Sequence, residues 1–378
     1  MDDILKNKKV FHLVTVSKSI SLMKGQIEYL RNKGLDVHVV SSRGEELENY
    51  SSNITHVLNM EREVSLINDI KSLIKMILLF LKEKPYIVNA GTPKAGLIGT
   101  LAGFITRRPV RIYTVRGLRL ETVSGLKYRI LYLMEKIAMF CATDVLAISE
   151  SLKNKIIFLN LEKGENIKVL GHGSSNGIML DNFRQEFNEI PDEISRKIEG
   201  CFVLGFVGRI VKDKGIKEVI ESFKIIKNKG YNVKLLVVGK IEKDNTISKE
   251  DFDFLNNDAD VVLVGQVTNT VNYYNHMDVL VFPTYREGFG NVSIEAQAVK
   301  VPVITTNVTG AVDTVEDKLT GYIVAKGDYK GIAKRVEMLI KNPELKERLG
   351  NVARKKVEEK FNSIDIWEHL HSFYEEKF

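Results

Sequence analysis

Short apolar runs alternate with longer helical patterns along nearly the whole chain, and this rhythm limits the possible folds more than any other feature. In the first half the strand-like runs are 10–16, 37–41, 86–89, 110–115, 144–149 and 167–170. In the second half they are 202–207, 233–238, 261–264, 279–282, 301–305 and 321–324. These runs are apolar throughout, as in strands covered on both faces. Strand then helix, repeated, predicts parallel, doubly wound α/β sheets.

The rhythm stops once, at 181–200, where charged residues are dense. A chain of 378 residues suits two domains at roughly 100–200 residues each. We therefore predict an N-terminal domain over 1–180, a linker over 181–200 and a C-terminal domain over 201–362. Each domain is expected to be Rossmann-like. Ligands of parallel sheets bind beyond the carboxyl ends of the strands, so we expect the site in a cleft between the two domains.

Composition excludes several classes of protein. Hydrophobic residues make up 44% and charged residues 28% of the chain, as in a soluble globular protein. No purely apolar run is longer than the six residues of 76–81, far fewer than the ~20 residues that span a bilayer. The polar start over 1–9 shows no signal peptide. Cys141 and Cys201 are far apart and form neither a disulfide framework nor a metal site. We expect a cytoplasmic protein.

The positive charge is concentrated in the first half of the chain. Residues 1–180 contain 26 Lys and Arg against 17 Asp and Glu, whereas the remainder contains 29 against 32. A basic half suits an anionic partner, either a phospholipid surface or a phosphate-bearing substrate, although a solvated basic face is the alternative. Lys/Arg blocks with interleaved aromatic residues are absent from the sequence, so we expect no nucleic-acid partner.

An apolar helical pattern at 64–81, together with Arg107, Arg108 and Arg111, suggests that the N-terminal domain makes peripheral contact with an anionic membrane. Core packing of the helix and a solvated patch of arginines are the alternatives.

The segment 208–215, Gly-Arg-Ile-Val-Lys-Asp-Lys-Gly, follows the first strand of the second half. Its two glycines permit a turn and a close backbone approach. The Arg209 guanidinium and the Lys214 ammonium, near a helix start, suit a diphosphate. A solvated basic turn is the alternative interpretation.

A second motif, 283–295, follows the strand at 279–282. Two glycines around Phe289 bring backbone N–H groups to the start of a helix predicted over 291–299, which favours an anion. Glu287 precedes this helix and Glu295 lies one turn inside it, where carboxylates can accept hydrogen bonds from sugar hydroxyls. Two acids also suit a glycosidase, or they cap the helix on a surface turn.

These two motifs resemble those of the retaining glycosyltransferases of family 4, the glycosyltransferase group 1 family, which have the GT-B fold. That family is marked by Gly-Arg followed by Lys-Gly, and by two Glu separated by seven residues, as Glu287 and Glu295 are here. The resemblance covers nearly the whole chain and is most specific over 205–300. It also extends through Val264-Gly265, 91–96 and 174–178.

The resemblance implies a role for each matching residue. Arg209 and Lys214 would hold the donor diphosphate and, with Glu287 facing the hydroxyls of the transferred sugar, form the catalytic set. Glu295 would accept hydrogen bonds from the nucleotide ribose. The remaining donor-binding positions, which act largely through their backbone, are Gly208, Gly265, Val267, Gly288, Phe289, Gly290 and Asn291. The C-terminal helix, 363–378, would return to the N-terminal domain.

The chain departs from the family pattern at two places. The first strand-to-helix loop, 16–20, reads Val-Ser-Lys-Ser-Ile where many relatives carry Gly-Gly. Arg116 stands where many carry His, and a permanent cation cannot serve as a base. Arg116 could bind an acceptor phosphate or the donor's anionic group, or form a salt bridge, for instance with Glu121.

Three further residues are candidates for the acceptor side of the site. Thr92 and Lys94 follow a predicted strand and start a helix, and an N-cap and a surface lysine are the alternatives. His172 lies between two glycines after another strand, where a satisfied loop histidine is the alternative.

The resemblance implies transfer of a sugar, for instance an N-acetylhexosamine, from a nucleotide-sugar such as a UDP-sugar. The acceptor would be a glycan or a polyprenyl-diphosphate-linked sugar in capsule, O-antigen or related surface polysaccharide assembly. We expect no cofactor and no metal, because the cations can neutralise the leaving diphosphate. The alternatives are a sugar-nucleotide epimerase or phosphorylase on the same fold, and a non-catalytic scaffold of an assembly complex.

Overall fold

The computed structural model describes residues 8–61, 63, 65–183, 189–242 and 247–378. The chain divides into two compact units, one made of residues up to Gly177 with Ser363–Phe378, the other of Ile178–Asn362. Each unit has a parallel sheet, which confirms the predicted fold class of two parallel-sheet α/β domains. Among the described residues, the helices lack the combination of length and apolar sequence needed to cross a membrane.

The first unit contains, within the described residues, a seven-stranded parallel sheet in the order β3-β2-β1-β4-β5-β6-β7. Its strands are β1 Lys9–Leu13, β2 Asp36–Ser41, β3 Thr55–Val57, β4 Ile87–Ala90, β5 Val110–Val115, β6 Asp144–Ala147 and β7 Ile167–Lys168. Its helices in the part of the chain up to Gly177 are α1 Gln26–Asn32, α2 Glu45–Glu48, α3 Leu66–Glu83, α4 Pro93–Ile105, α5 Gly125–Cys141 and α6 Glu150–Phe158. The predicted helical pattern at 64–81 is therefore α3, except that Val64 lies outside the described residues.

The second unit contains, in its described part, a six-stranded parallel sheet in the order β10-β9-β8-β11-β12-β13. Its strands are β8 Phe202–Val207, β9 Val233–Val238, β10 Val261–Gly265, β11 Val279–Phe282, β12 Val303–Thr306 and β13 Gly321–Val324. Its helices are α7 Asp192–Ile198, α8 Ile216–Asn228, α9 Lys249–Asn257, α10 Val271–Tyr274, α11 Asn291–Ala298, α12 Tyr329–Lys341 and α13 Pro343–Lys360. Buried aliphatic and aromatic side chains fill both faces of this sheet.

The predicted linker at 181–200 is wrong where the structure describes it. Helix α7 lies inside this segment, and Ile190 and Ile198 are buried in the core of the second unit. A few apolar side chains are enough to attach a charged segment to a core, and charge density alone does not reveal them. Residues 184–188 of the predicted linker lie outside the described residues.

The final helix, α14 Ser363–Glu375, packs on the first unit. Leu370, Phe373 and Tyr374 enter the core of that unit. The Trp367 indole Nε1 donates to Asn176 Oδ1 at 2.7 Å, and its ring lies 5.5 Å from that of Tyr29. The only tryptophan therefore anchors this helix by both its ring and its N–H group.

A buried carboxyl group in the first unit predicts a pH-dependent stability. Glu135 on α5 accepts a hydrogen bond from Tyr113 Oη at 2.8 Å, and burial raises the pKa of Glu135 to about 7 although this bond lowers it. Between pH 4.5 and about 7 the folded state holds a proton that the unfolded chain has lost, so stability falls as the pH rises. The total loss is about 3 kcal/mol.

We expect Glu135→Gln to remove this pH-dependent loss. Chemical denaturation gives the free energy of unfolding of both proteins at pH 5 and at pH 8. From pH 5 to pH 8 that of the native protein should fall by about 3 kcal/mol more than that of the variant. Tyr113→Phe, which removes the hydrogen bond that lowers the pKa, should extend the window to higher pH. Stability curves that run parallel for the native protein and Glu135→Gln would contradict the assignment.

Candidate functional site

The strand order of the second unit reverses at β8, which lies between β9 and β11. In open parallel sheets such a reversal opens a crevice at the carboxyl ends of the strands, where ligands bind. The segment 208–215 follows β8 and the segment 283–290 follows β11. The topology thus brings the two sequence motifs to the two sides of one switch point.

The two segments are locked together by backbone contacts. The amide of Tyr285 donates to the carbonyl of Asp213 at 2.8 Å, and Thr284 Oγ1 donates to the same carbonyl at 3.2 Å. Gly215 has φ +74°, and a Cβ there would collide with the carbonyl oxygen of Pro283. Glycine is required at this position both for the left-handed backbone and for the close approach.

Lys214 and Glu287 form an ion pair in the described structure. The side chains are only 20% and 17% exposed, respectively. Lys214 Nζ also lies 5.9 Å from the centroid of the Phe282 ring at the end of β11. The structure therefore brings one predicted diphosphate ligand and the predicted sugar-facing acid into direct contact at the switch point.

Arg209 adopts a different arrangement. Its side chain is 60% exposed, and Nη1 donates to Glu242 Oε1 at 2.9 Å. An exposed pair of this kind contributes about 0–1 kcal/mol. The contact with Glu242 therefore holds the Arg209 side chain only weakly.

The loop that follows β12 packs against the glycine-rich turn before α11. Gly310 has φ +74°, and a Cβ there would lie 2.6 Å from the carbonyl of Gly288. Glu287 N donates to Thr309 O at 3.1 Å. Our sequence reasoning missed Gly310, although a glycine soon after a predicted strand was a usable signal.

The residues that begin α11 are fixed by aromatic and backbone contacts. Phe289 is buried, and its ring lies 5.2 Å from that of Phe361. Asn291 N donates to Phe289 O at 3.1 Å, and Ser293 N donates to Gly290 O at 2.9 Å. The predicted helix 291–299 is thus observed as α11, with Gly290 as its N-cap residue.

Glu295 lies on α11 with Tyr274 as its partner. Tyr274 Oη donates to Glu295 Oε2 at 2.8 Å. Burial raises the pKa of Glu295, whereas this hydrogen bond lowers it. Sequence reasoning missed Tyr274, because it lies 21 residues from its partner in an unremarkable short helix.

Gly208 and Gly265 lie at the carboxyl edge of the same sheet. Gly208 N donates to Val238 O at 2.9 Å, and Gly265 O accepts from Gly239 N at 2.8 Å. Val267, two residues further along, is partly buried against the core of the second unit. The predicted base-binding positions are therefore held close to the end of β10.

In the first unit, Thr92 and Lys94 are engaged in internal contacts. Thr92 Oγ1 accepts from Thr15 N at 3.0 Å and lies 2.7 Å from Thr15 Oγ1. Lys94 is only 4% exposed, and its Nζ binds Asp69 at 2.7 Å as well as the carbonyl of Glu63. Both side chains tie neighbouring elements of the first unit together, and Lys94 is not the surface lysine considered above.

Arg116 follows β5 and is partly buried. Its Nη1 donates to Gly91 O at 2.8 Å, and its Nε is buried without a partner in the described structure. Burial lowers the pKa of Arg116 to about 10. A cavity of about 30 Å³ adjoins it, lined also by Gln26 and Ser174. Glu121 was considered above as a salt-bridge partner of Arg116. Its Oε1 lies 3.9 Å from Lys155 Nζ.

A buried group of hydrogen-bonded side chains near Arg116 contains an uncharged histidine. Tyr374 Oη on α14 lies 3.0 Å from His12 Nε2 and accepts from Asn89 Nδ2 at 2.6 Å. Thr114 Oγ1 donates to Asn89 Oδ1 at 2.7 Å. Burial, reinforced by the charge of Arg116, lowers the pKa of His12 to about 3. The C-terminal helix therefore contributes Tyr374 to this hydrogen-bonded group.

His172, the remaining acceptor-side candidate, is exposed on the loop after β7. Over the described ranges, three or more His, Cys, Asp and Glu side chains do not come together as a group that could hold a metal ion.

Two family models match the chain. "Glycosyl transferases group 1" matches residues 188–356, which include the whole switch-point site. "Glycosyl transferase 4-like" matches residues 9–149 of the first unit.

Individual proteins also resemble the chain over most of its length. It is 62% identical over 370 residues to the capsular polysaccharide biosynthesis glycosyltransferase CapM of Staphylococcus aureus, covering 98% of this chain and 97% of that protein. It is 26% identical to the UDP-Gal:alpha-D-GlcNAc-diphosphoundecaprenol alpha-1,3-galactosyltransferase of Escherichia coli, covering 80% and 79%. The solved structure of Anabaena HepE in complex with UDP matches with a TM-score of 0.78 at 17% identity, covering 98% of this chain and 100% of that one.

Proposed function

The chain belongs to the glycosyltransferase group 1 family, and on this premise we propose that it transfers a sugar from a UDP-sugar to a polyprenyl-diphosphate-linked sugar in capsular polysaccharide assembly. The observation that carries the proposal is the Lys214–Glu287 ion pair at the β8/β11 switch point. The Staphylococcus aureus relative, a capsular polysaccharide biosynthesis glycosyltransferase, supports the capsule. The Escherichia coli relative, whose acceptor is a sugar on diphosphoundecaprenol, supports the lipid-linked acceptor. The UDP complex of HepE supports the donor.

The chemistry of the proposed step follows from where charge develops. As the bond between the sugar carbon and the phosphate oxygen breaks, negative charge accumulates on the departing diphosphate. A cation already held in place stabilises this transition state more than the ground state. Lys214 supplies that cation, and its contact with Glu287 fixes the ammonium without costly reorganisation at the moment of reaction.

The acceptor side of the step needs no protein base in this scheme. The acceptor hydroxyl attacks on the face from which the diphosphate departs, so the transferred sugar retains its anomeric configuration. A departing phosphate oxygen takes the acceptor proton as the new bond to the sugar carbon forms. Arg116 cannot take this proton, and its partly buried guanidinium is suited to an anionic group of the acceptor or donor.

Donor recognition is assigned to the remaining residues of the second unit. Glu295 accepts hydrogen bonds from the ribose, and the backbone of 288–291 meets the sugar and phosphate. Gly265 and Val267 meet the base. Because cations and backbone amides neutralise the diphosphate, the proposed reaction requires neither metal nor cofactor.

A thermal-shift screen across UDP-, GDP-, ADP- and dTDP-sugars tests the donor. A UDP-sugar at 100 times its Kd should stabilise the folded protein by about 2.7 kcal/mol, whereas the other nucleotide-sugars should act more weakly. Transfer from that donor to a polyprenyl-diphosphate-linked sugar should then proceed equally well in excess EDTA. The product should retain the anomeric configuration of the donor, as measured by NMR.

Three outcomes would contradict parts of this proposal. Turnover of the UDP-sugar without an acceptor would indicate an epimerase, and a requirement for inorganic phosphate would indicate a phosphorylase. Complete loss of transfer in EDTA, reversed by Mg²⁺, would contradict the metal-independent scheme.

A further inference from the structure

Helix α3 exposes an apolar stripe to solvent. Its six large apolar side chains that are each more than half exposed are Leu66, Ile67, Ile70, Ile74, Leu78 and Leu81. At 100° per residue these six share an arc of about 120° on the helix. The core-facing side of the same helix is formed by other residues, among them Met76 and Phe80. The stripe is therefore not needed to attach α3 to its own unit.

The apolar surface continues on the two neighbouring helices. Helix α4 packs against both α3 and α5. The exposed large apolar side chains of α4 and α5 are Phe104, Ile105, Leu126, Ile130, Leu133 and Phe140. The rings of Phe104 and Phe140 lie 6.3 Å apart and join the ends of α4 and α5. We call the exposed side chains named on these three helices the apolar face.

The exposed charges of these three helices are all positive in the described structure. The exposed cations are Lys71, Lys75 and Lys82 on α3, and Lys127, Arg129 and Lys136 on α5. On α3 the three lysines lie side by side, next to the stripe, by the same helical geometry.

The acids of the same helices point inward. Asp69 binds Lys94, Glu83 binds Lys9 at 2.6 Å, and Glu135 accepts from buried Tyr113. Of the arginines singled out in the sequence, Arg108 and Arg111 donate to backbone carbonyls near the ends of α4 and α5, and Arg107 is exposed. The apolar face is thus bordered by cations.

We infer that the apolar face of α3, α4 and α5 seats the first unit on an anionic phospholipid bilayer, with the apolar side chains among the acyl chains and the bordering lysines and arginines at the headgroups. An apolar stripe bordered by cations is how a helix lies in a membrane interface. A second copy of this chain fits less well, because it would bring two cationic borders together. Membrane binding by the apolar face would bring the enzyme to a lipid-linked acceptor. Only this link to the acceptor rests on the proposed function.

Flotation with vesicles of phosphatidylcholine, with and without 30 mol% phosphatidylglycerol, tests the inference on the full chain. The native protein should bind the anionic vesicles at least about tenfold more tightly than the neutral ones. Two triple variants, Ile70→Ser/Ile74→Ser/Leu78→Ser and Lys71→Gln/Lys75→Gln/Lys82→Gln, should each weaken binding by about tenfold or more. Leu319→Ser/Val352→Ser, which removes exposed apolar side chains of the second unit, should bind as the native protein does.

A second set of readouts separates this inference from the proposed function. Lys214→Met should bind vesicles normally, and both triple variants should keep full transfer to a short-chain acceptor dissolved in detergent. Equal vesicle binding by the native protein and the triple variants would overturn the inference, as would the absence of binding to anionic vesicles. A native dimer that the serine variant converts to a monomer, without vesicle binding, would assign the apolar face to self-association instead.

Discussion

Replacing Lys214 with methionine should lower kcat for sugar transfer by about 10²–10³-fold. The variant removes a cation that is held at the β8/β11 switch point by Glu287. The other cation of the site, Arg209, does not occupy this position, because its side chain is exposed and paired with Glu242. Initial rates with saturating donor and acceptor would measure the effect.

The matched control is Lys212→Met, which removes the same charge from the same turn. Lys212 is exposed, whereas Lys214 is paired with Glu287, so removal of Lys212 should leave transfer within about twofold of the native rate. Lys214→Met also leaves the Glu287 carboxylate without its cation, at a cost of about 1–3 kcal/mol in stability. The double variant Lys214→Met/Glu287→Gln should recover that stability but not the activity. A double variant with restored transfer would show that Lys214 acts only on folding.

The second large effect is expected for Gly215→Ala, which should reduce transfer by about 10²-fold. The new Cβ would collide with the carbonyl of Pro283 and so push apart the two segments that hold Lys214 and Glu287. A displacement of about 1 Å at a catalytic group is enough for a loss of this size. Steady-state kinetics with a parallel thermal melt would measure activity and stability together.

Gly230→Ala separates collision from backbone strain. Gly230 has φ +82°, close to the +74° of Gly215, but a Cβ there would meet nothing within 4 Å. Both variants should lose about 1–2 kcal/mol of stability through the left-handed backbone, and Gly215→Ala should lose more through the collision with Pro283. Gly230→Ala should keep its activity. Equal activity in the two variants would contradict the view that contact between the two segments positions the site.

The fold could be predicted from the sequence because buried parallel strands are continuous apolar runs. Five of the strands, among them β5, β8 and β9, begin and end where the pattern predicts. Strand β3 was missed because Thr55–Val57 is three residues long and centred on a histidine. Between β1 and β2 the chain forms a 3₁₀ segment, Ser17–Met23, before α1 begins.

The sequence predicts that the candidate site residues follow strand ends, but it does not reveal which of them contact each other. Lys214 and Glu287 each follow a strand end, and strand order determines that these ends are neighbours, yet the pair is 73 residues apart. Lys94 is buried although its position suggests exposure. A lysine at the start of a helix indicates an exposed charge, and only the fold reveals Asp69 on the adjacent helix as its partner.

The return of α14 to the first unit determines the order in which the chain can fold during synthesis. The ribosome delivers all of Ile178–Asn362 before it delivers Leu370, Phe373 and Tyr374, which the core of the first unit requires. The unit whose translation begins first is therefore the one whose core is completed last, contrary to the usual order of domains on a nascent chain. Until then the apolar surface of the first unit that binds α14 stays uncovered. A chaperone would be most useful at this surface.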